Sequence, residues 1–422
     1  MRKKIIDEVL TTASILTVTS AVAEKLSYRG EIISNNIKLA SIEGQRGVHD
    51  SQVMVKKVGD YLRIIFLYRS SSNFHVVCRS PHGNELIYSK EVVDGGMVGW
   101  APRMFEKGED AIRIMYTKNK TEVCYKDLTI STGGLGAERP FVVRIKDSGG
   151  TYLAERHLTL DAFLQHVANV SGIDYRLPEF AAFAKRNVLV EDTQQIQVVG
   201  DTYYLTCQVL ADSMPQGDTG GIACLMWSKD METWHLNDPI RIGSDMNEQR
   251  DHEISATFLN GKWHALSRCN KYTFDERSGY RYYTSDDGNS WTFEGMSGIP
   301  KPLGGIRHAV FKYSLRHASP LGTSPNYSSQ TVAFVLYQKI PSVDNSTGTT
   351  DPSHRLRTML GLCYTADFKN FTEVAEISDR ANITYPSMYI YQDRLYMCFS
   401  SGFTGGFITA SILWSSYNLG KL

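Results

Sequence analysis

The residues of this chain that are equipped for chemistry form no single motif but recur at one kind of place. His49-Asp50, Trp100 with Arg103, Asp251-His252-Glu253, Arg307-His308 and Tyr385 each stand where a run of alternating residues begins, and Arg69 and Arg268 stand where the following run ends. Arg357, or Arg355 beside it, adds a cation shortly before Tyr385. Arginine neutralises and orients an oxyanion through a planar fork of donors. Asp, Glu and His move protons, and a Tyr hydroxyl attacks an electrophilic carbon once a base takes its proton. Taken singly, each of these residues also reads as an ordinary polar residue of a solvated rim. Their recurrence at equivalent places is more than a solvated rim requires, and it marks them as the candidates for function.

Composition bounds what can position them. The 422 residues include 45 Lys+Arg and 45 Asp+Glu, so no global charge draws the chain to nucleic acid or an anionic membrane, and ligand charge must be met locally. With 42% hydrophobic residues there is ample core, and 23 Tyr, 17 Phe and 34 Gly with recurrent turn dipeptides favour many short strands, hence an all-β class. Seven cysteines without a C-x-x-C pair or zinc-like Cys/His spacing read as scattered buried thiols, and neither metal nor cofactor is implied. Residues Met1-Arg2-Lys3-Lys4 and then Val9 to Ala23, ending Ala21-Val22-Ala23, are similar to a secretory signal, which implies a secreted or periplasmic protein. Asp7, Glu8 and several threonines suit the lead-in of a cytoplasmic protein equally well, and nothing later is apolar enough to span a membrane.

The clearest unit runs from 251 to 291. A strand over 252–258 reverses at Asn260-Gly261, a second over 262–268 ends on Arg268, and a third over 280–285 meets an Asp-Gly turn before a fourth opens at Trp291. The same meander is legible at Val48 to Val92, at Val98 to Ile145 with Phe141 to Ile145 as its last strand, at Thr193 to Pro239, and at Arg307 to Ile377. A last one, from Tyr385 to Leu413, is one strand short, and the isolated alternating segment at 36–42 supplies the missing strand. Helical spacing at 160–167 and 178–184 marks an insertion over about 155–186. Repeated four-stranded sheets closed by an N-terminal strand predict a six-bladed β-propeller, a single domain over 24–422.

Three turns repeat one spacing: Ser285-Asp286-Asp287-Gly288-Asn289-Ser290-Trp291, Ser228-Lys229-Asp230-Met231-Glu232-Thr233-Trp234, and Thr365-Ala366-Asp367-Phe368-Lys369-Asn370-Phe371. A hydroxyl, an Asp two residues on and an aromatic four beyond that let the carboxylate accept from turn amides while the ring packs between sheets. These turns resemble the Asp boxes (BNR repeats) of the sialidase, or neuraminidase, superfamily, and the resemblance covers about residues 36 to 415. It implies a glycoside hydrolase that releases a terminal acidic sugar from glycans with retention. In that chemistry arginines clamp the sugar carboxylate, and a tyrosine, poorly ionised near neutrality, attacks with the help of a glutamate. Residue by residue, the resemblance implies Tyr385 as nucleophile, Glu253 as its base, and Arg268, 15 residues after Glu253, with Arg357 as clamp.

The first meander departs from the family. Where sialidases carry Arg-Ile-Pro, this chain reads His49-Asp50-Ser51-Gln52, the loop after Arg69 has no Asp, and Ser400-Ser401 replaces a supporting glutamate. Asp50 or His49 then takes the acid/base place, Arg69 or Arg46 the clamp, with Arg307, Trp100 and His252 as further substrate contacts. Two other readings stay open: a propeller glycosidase or polysaccharide lyase acting on uronic-acid glycans through His, Tyr and Arg, and a glycan-binding propeller without catalysis.

Overall fold

The computed structural model describes residues 25–27, 37–41, 49–70, 73–80, 85–93, 102–181, 187–191, 195–211, 220–242, 251–269, 279–303, 307–316, 329–340, 359–378, 383–392, 394–401 and 411–418. Their strands pair into six sheets. The first sheet is the antiparallel meander His49–Val58, Tyr61–Arg69, Phe74–Arg79 and Leu86–Glu91. The fourth repeats it with Asp251–Leu259, Lys262–Cys269, Tyr280–Ser285 and Thr292–Met296. The fifth comprises Ala309–Arg316, Ser329–Gln338, Met359–Thr365 and Phe371–Ser378, with Lys25–Ser27 added in parallel to its outer strand. The sixth comprises Ile383–Tyr391, Arg394–Ser401 and Ser411–Asn418, and Ile37–Ser41 pairs antiparallel with the last of these. The arrangement is a β-propeller. The inner strands are buried on both faces between neighbouring sheets while outer strands such as Leu86–Glu91 and Thr292–Met296 stay largely exposed, and one apolar cluster joins Ile65 and Val77 of the first sheet to Ile114, Phe334 and Met397.

The second and third sheets correct the sequence reading. Arg103–Gly108, Ala111–Lys118 and Glu122–Thr129 are followed at the outer edge by Gly134–Leu135 and Arg139–Pro140, not by Phe141 to Ile145. Val142–Arg144 instead runs parallel to Thr233–Pro239 in the third sheet. The cause is packing: Phe141 stacks on Trp234 at 5.8 Å, and Val143 and Ile145 are buried in the same cluster. The third sheet's axial edge is split, since Asn187–Glu191 and Gln197–Val199 both pair with Thr202–Ala211. Gly221 lets this sheet approach the fourth, because a Cβ there would lie 2.9 Å from the Asp251 carbonyl oxygen.

Helix α1, Leu160–Ser171, begins where the Thr159 side chain accepts from Ala162 N at 3.1 Å and ends at Gly172 with φ 75°. Of the helical spacing at 178–184, Pro178–Phe180 forms a 3-10 turn, and 182–186 lie outside the described residues. No helix among the described residues is long and apolar enough to cross a membrane. The six cysteines whose side chains are described are buried free thiols.

The three repeated turns share one hydrogen-bonding pattern. Asp230, Asp287 and Asp367 each accept through Oδ1 from the backbone two and three residues on, at 2.7 to 3.0 Å. Ser228, Ser285 and Thr365 each accept from the amide three residues on, and the amide's residue is left-handed every time: Met231 at φ 60°, Gly288 at 73°, Phe368 at 57°. Partial burial opposes ionisation of all three carboxyls, yet the backbone donors hold them below the usual aspartate range.

Candidate functional site

Three axial strands begin with the same irregularity. In the first sheet His49 pairs with Arg69 and Gln52 with Leu67, so Asp50 and Ser51 together oppose one residue. In the fourth, His252 pairs with Arg268 and Ser255 with Leu266, leaving Glu253 and Ile254. In the sixth, Thr384 pairs with Ser400 and Ser387 with Cys398, leaving Tyr385 and Pro386. These are β-bulges at equivalent positions, and the first extra residue is left-handed in each: Asp50 at φ 56°, Glu253 at 48°, Tyr385 at 54°. Left-handed backbone is unfavourable for a residue with a Cβ, and such strain gathers at functional sites. The bulges re-aim an acid, an acid and a phenol away from the alternation of their strands.

Glu253 Oε2 accepts from Arg268 Nη1 at 2.7 Å, and both side chains are largely buried, 11% and 14% exposed. Burial alone would lower the Arg268 pKa, but Glu253, then Tyr385 and Tyr280, outweigh it and raise it. Asp50 lies between two guanidiniums, 3.7 Å from Arg307 Nη1 and 3.9 Å from Arg69 Nη1. His308 is buried next to Arg307, with Nε2 2.6 Å from Ser255 Oγ and its ring 4.8 Å from that of Tyr280. Burial pushes the His308 pKa down to about 3, reinforced by Arg307 and Arg268 against an opposing pull from Glu253, so the imidazole is neutral. Among the described residues the site thus holds three guanidiniums against two carboxylates, an excess of one positive charge suited to a monoanion.

The structure pairs Asp50 with Arg69 and Arg307 and Glu253 with Arg268; Tyr385 is near enough to Arg268, and Arg307, Arg268 and Glu253 near enough to His308, to act on it electrostatically. His49 and His252 are the cross-strand partners of Arg69 and Arg268, and their side chains lie outside the described residues, as do Trp100 and Arg357. Asp251 belongs elsewhere: it accepts from Tyr283 Oη at 2.8 Å and pairs with Arg281 at 3.1 Å. Arg103 is buried, its Nη1 donating to the Pro102 carbonyl at 2.9 Å. The sequence reading missed the bulges, and the signal available was Pro386, which has no ladder N–H to give inside an otherwise regular strand. No group of three His, Cys, Asp or Glu among the described residues could hold a metal ion.

A scan against protein families matched none, and a search of curated proteins also returned no match. Solved structures do match. A mutant of Trypanosoma rangeli sialidase displaying trans-sialidase activity aligns over 93% of this chain and 60% of its own, with a TM-score of 0.56 and 14% identity. Trypanosoma rangeli sialidase in complex with 2,3-difluorosialic acid, a covalent intermediate, aligns over 91% and 58%, with a TM-score of 0.55 and 13% identity. A Hadza microbial sialidase aligns over 91% and 68%, with a TM-score of 0.55 and 12% identity. The chain therefore spans about 60% of the length of the trypanosomal proteins. At such identities the likeness shows the fold: a sialidase-like β-propeller.

Proposed function

We propose that this protein is a glycoside hydrolase of sialidase type that releases a terminal acidic sugar, sialic acid or a relative, from glycans with retention. The carrying observation is the set of matched left-handed bulges presenting Asp50, Glu253 and Tyr385, with Glu253 held on Arg268 at 2.7 Å. We count each of the six sheets as a blade, and read the three repeated turns as Asp boxes, which belong to the scaffold and not to the chemistry. Arg268, joined by Arg357, receives the sugar carboxylate. A carboxylate nucleophile would be repelled by that anion, so the neutral phenol of Tyr385 attacks the anomeric carbon as Glu253 takes its proton. The leaving oxygen receives a proton from Asp50 or His49; the same group then takes a proton from the water that attacks the anomeric carbon, and the tyrosyl bond breaks as Glu253 returns its proton to the Tyr385 oxygen. Arg69, Arg307, Trp100 and His252 contact the substrate around this centre. The test is release of free sialic acid from a fluorogenic sialoside by the wild-type protein, and its loss in Tyr385→Phe. No release from any sialoside overturns the proposal.

One observation favours a second reading. Asp50 is ion-paired with Arg307 and Arg69, which suits it to charge balance more than to proton donation. A propeller that binds an acidic glycan without cleaving it needs no proton donor, and recovery of a tightly bound oligosaccharide intact would select it.

A further inference from the structure

The three bulges are locked by a common device. Two residues beyond each left-handed residue, where the ladder resumes, stands a buried polar side chain: Gln52, Ser255 and Ser387. Each reaches into the following sheet. Gln52 Oε1 accepts from Met104 N at 2.6 Å, and Ser387 Oγ accepts from Val53 N at 3.0 Å. Ser255 differs in meeting a side chain, His308 Nε2, at 2.6 Å. On the opposite flank the bulge of the fourth sheet is also held, because Ile254 N donates to Gln208 Oε1 at 3.5 Å and Thr206 Oγ1 donates to the Ile254 carbonyl at 3.3 Å.

From this geometry we infer that Ser255 and His308 are positioning residues, a side-chain lock between the fourth and fifth sheets that keeps Glu253 left-handed and on Arg268. The inference rests on the proposed role of Glu253. A left-handed residue with a Cβ is strained and persists only where its surroundings impose it. His308 is suited to impose it. Its Nδ1 has no hydrogen-bond partner among the described residues, and a bare buried lone pair is tolerated better than a bare N–H. The proton therefore resides on Nε2, which donates to Ser255 Oγ. Tyr280, itself buried, packs against the imidazole with the two rings tilted by 60°.

Ser255→Ala and His308→Ala remove the lock, whereas His308→Gln keeps a donor for Ser255. Displacement of a catalytic group by an ångström costs on the order of a hundredfold. The alanine variants should lose roughly 10- to 100-fold in kcat per folded molecule on a fluorogenic sialoside with KM little changed, as that principle scales, assayed well below each variant's own melting temperature. His308→Gln should retain turnover within a few-fold and leave the shape of the pH–rate profile unaltered. Loss of a profile limb in His308→Gln would make His308 an acid or base and overturn the inference. So would a fall in activity that merely tracks the folded fraction. Crystal structures of Ser255→Ala and His308→Ala decide the matter without turnover: Glu253 should leave its left-handed conformation and part from Arg268, and retention of both refutes the lock. If the wild type releases no sugar, the proposed function fails while this structural arm still decides on the lock.

Discussion

Replacing Glu253 by Gln separates the two jobs that the site asks of its charges. The amide keeps the shape and one acceptor for Arg268, so the packing around a contact of 2.7 Å survives while the charge is removed. Three guanidiniums then face a single carboxylate, Asp50. A bound sugar carboxylate about 7 Å from the lost charge, at an effective dielectric constant of about 20, gains about 2 kcal/mol, roughly thirtyfold in affinity. Loss of the base acts oppositely on turnover, by about two to four decades. Glu253→Gln should therefore bind free sialic acid more tightly, measured by calorimetric titration at low salt, while its kcat on a fluorogenic sialoside collapses.

The gain in affinity should shrink as salt is added, because part of it is screened Coulomb attraction. Arg268→Met is the counterpart. It removes the clamp and leaves Glu253 buried beside no guanidinium of its own hairpin, so affinity falls and stability drops by about 3–5 kcal/mol, the usual cost of breaking a buried pair. If Glu253→Gln weakens sialic acid binding, or leaves kcat intact, then neither the charge balance nor the role of base is as argued.

Two predictions concern the scaffold. Arg113 is 1% exposed, bonds Asp127 at 2.8 and 3.0 Å and Glu232 at 3.0 and 3.2 Å, donates to the Met231 carbonyl at 2.6 Å, and lies 3.7 Å over the Tyr125 ring. Since it joins the second sheet to a turn of the third and its carboxylates are partly solvated, Arg113→Met should lower unfolding free energy by about 2–3 kcal/mol in urea with an unchanged slope. Asp367→Ala removes the acceptor of Lys369 N and Asn370 N and should cost about 1 kcal/mol at neutral pH. Because the folded-state pKa of Asp367 is depressed, its contribution is full above the ordinary aspartate value and fades as pH falls through the lower folded value. Wild type and variant should therefore converge in stability in strong acid, and a constant difference down to that range refutes the assignment.

What was legible in the sequence was whatever short range fixes. Hydroxyl, Asp and aromatic at fixed spacing make a turn by local hydrogen bonds, and the three turns form as that spacing dictates. Glu253 and Arg268 meet because one hairpin carries both, although the bulge that sets their contact is not legible in the spacing. Val142–Arg144 was misassigned because two sheet edges were open to it, and burial against Trp234, distant in the chain, chose between them.

The first sheet shows where short range ends. Arg69 stands opposite His49 as Arg268 stands opposite His252, so the two hairpins present the same arrangement, differing at the bulge by one methylene: Asp50 against Glu253. That difference appears in the distances. Glu253 reaches the arginine of its own hairpin at 2.7 Å, whereas Asp50 stops at 3.9 Å from Arg69. The buried carboxylate also faces Arg307, 3.7 Å away in the segment that leads into the fifth sheet. The shorter side chain thus ties the first sheet to the segment carrying His308, and through Ser255 to the bulge of Glu253. The two acids are linked through the fifth sheet, a connection that no window of sequence contains because it exists only once the propeller has closed.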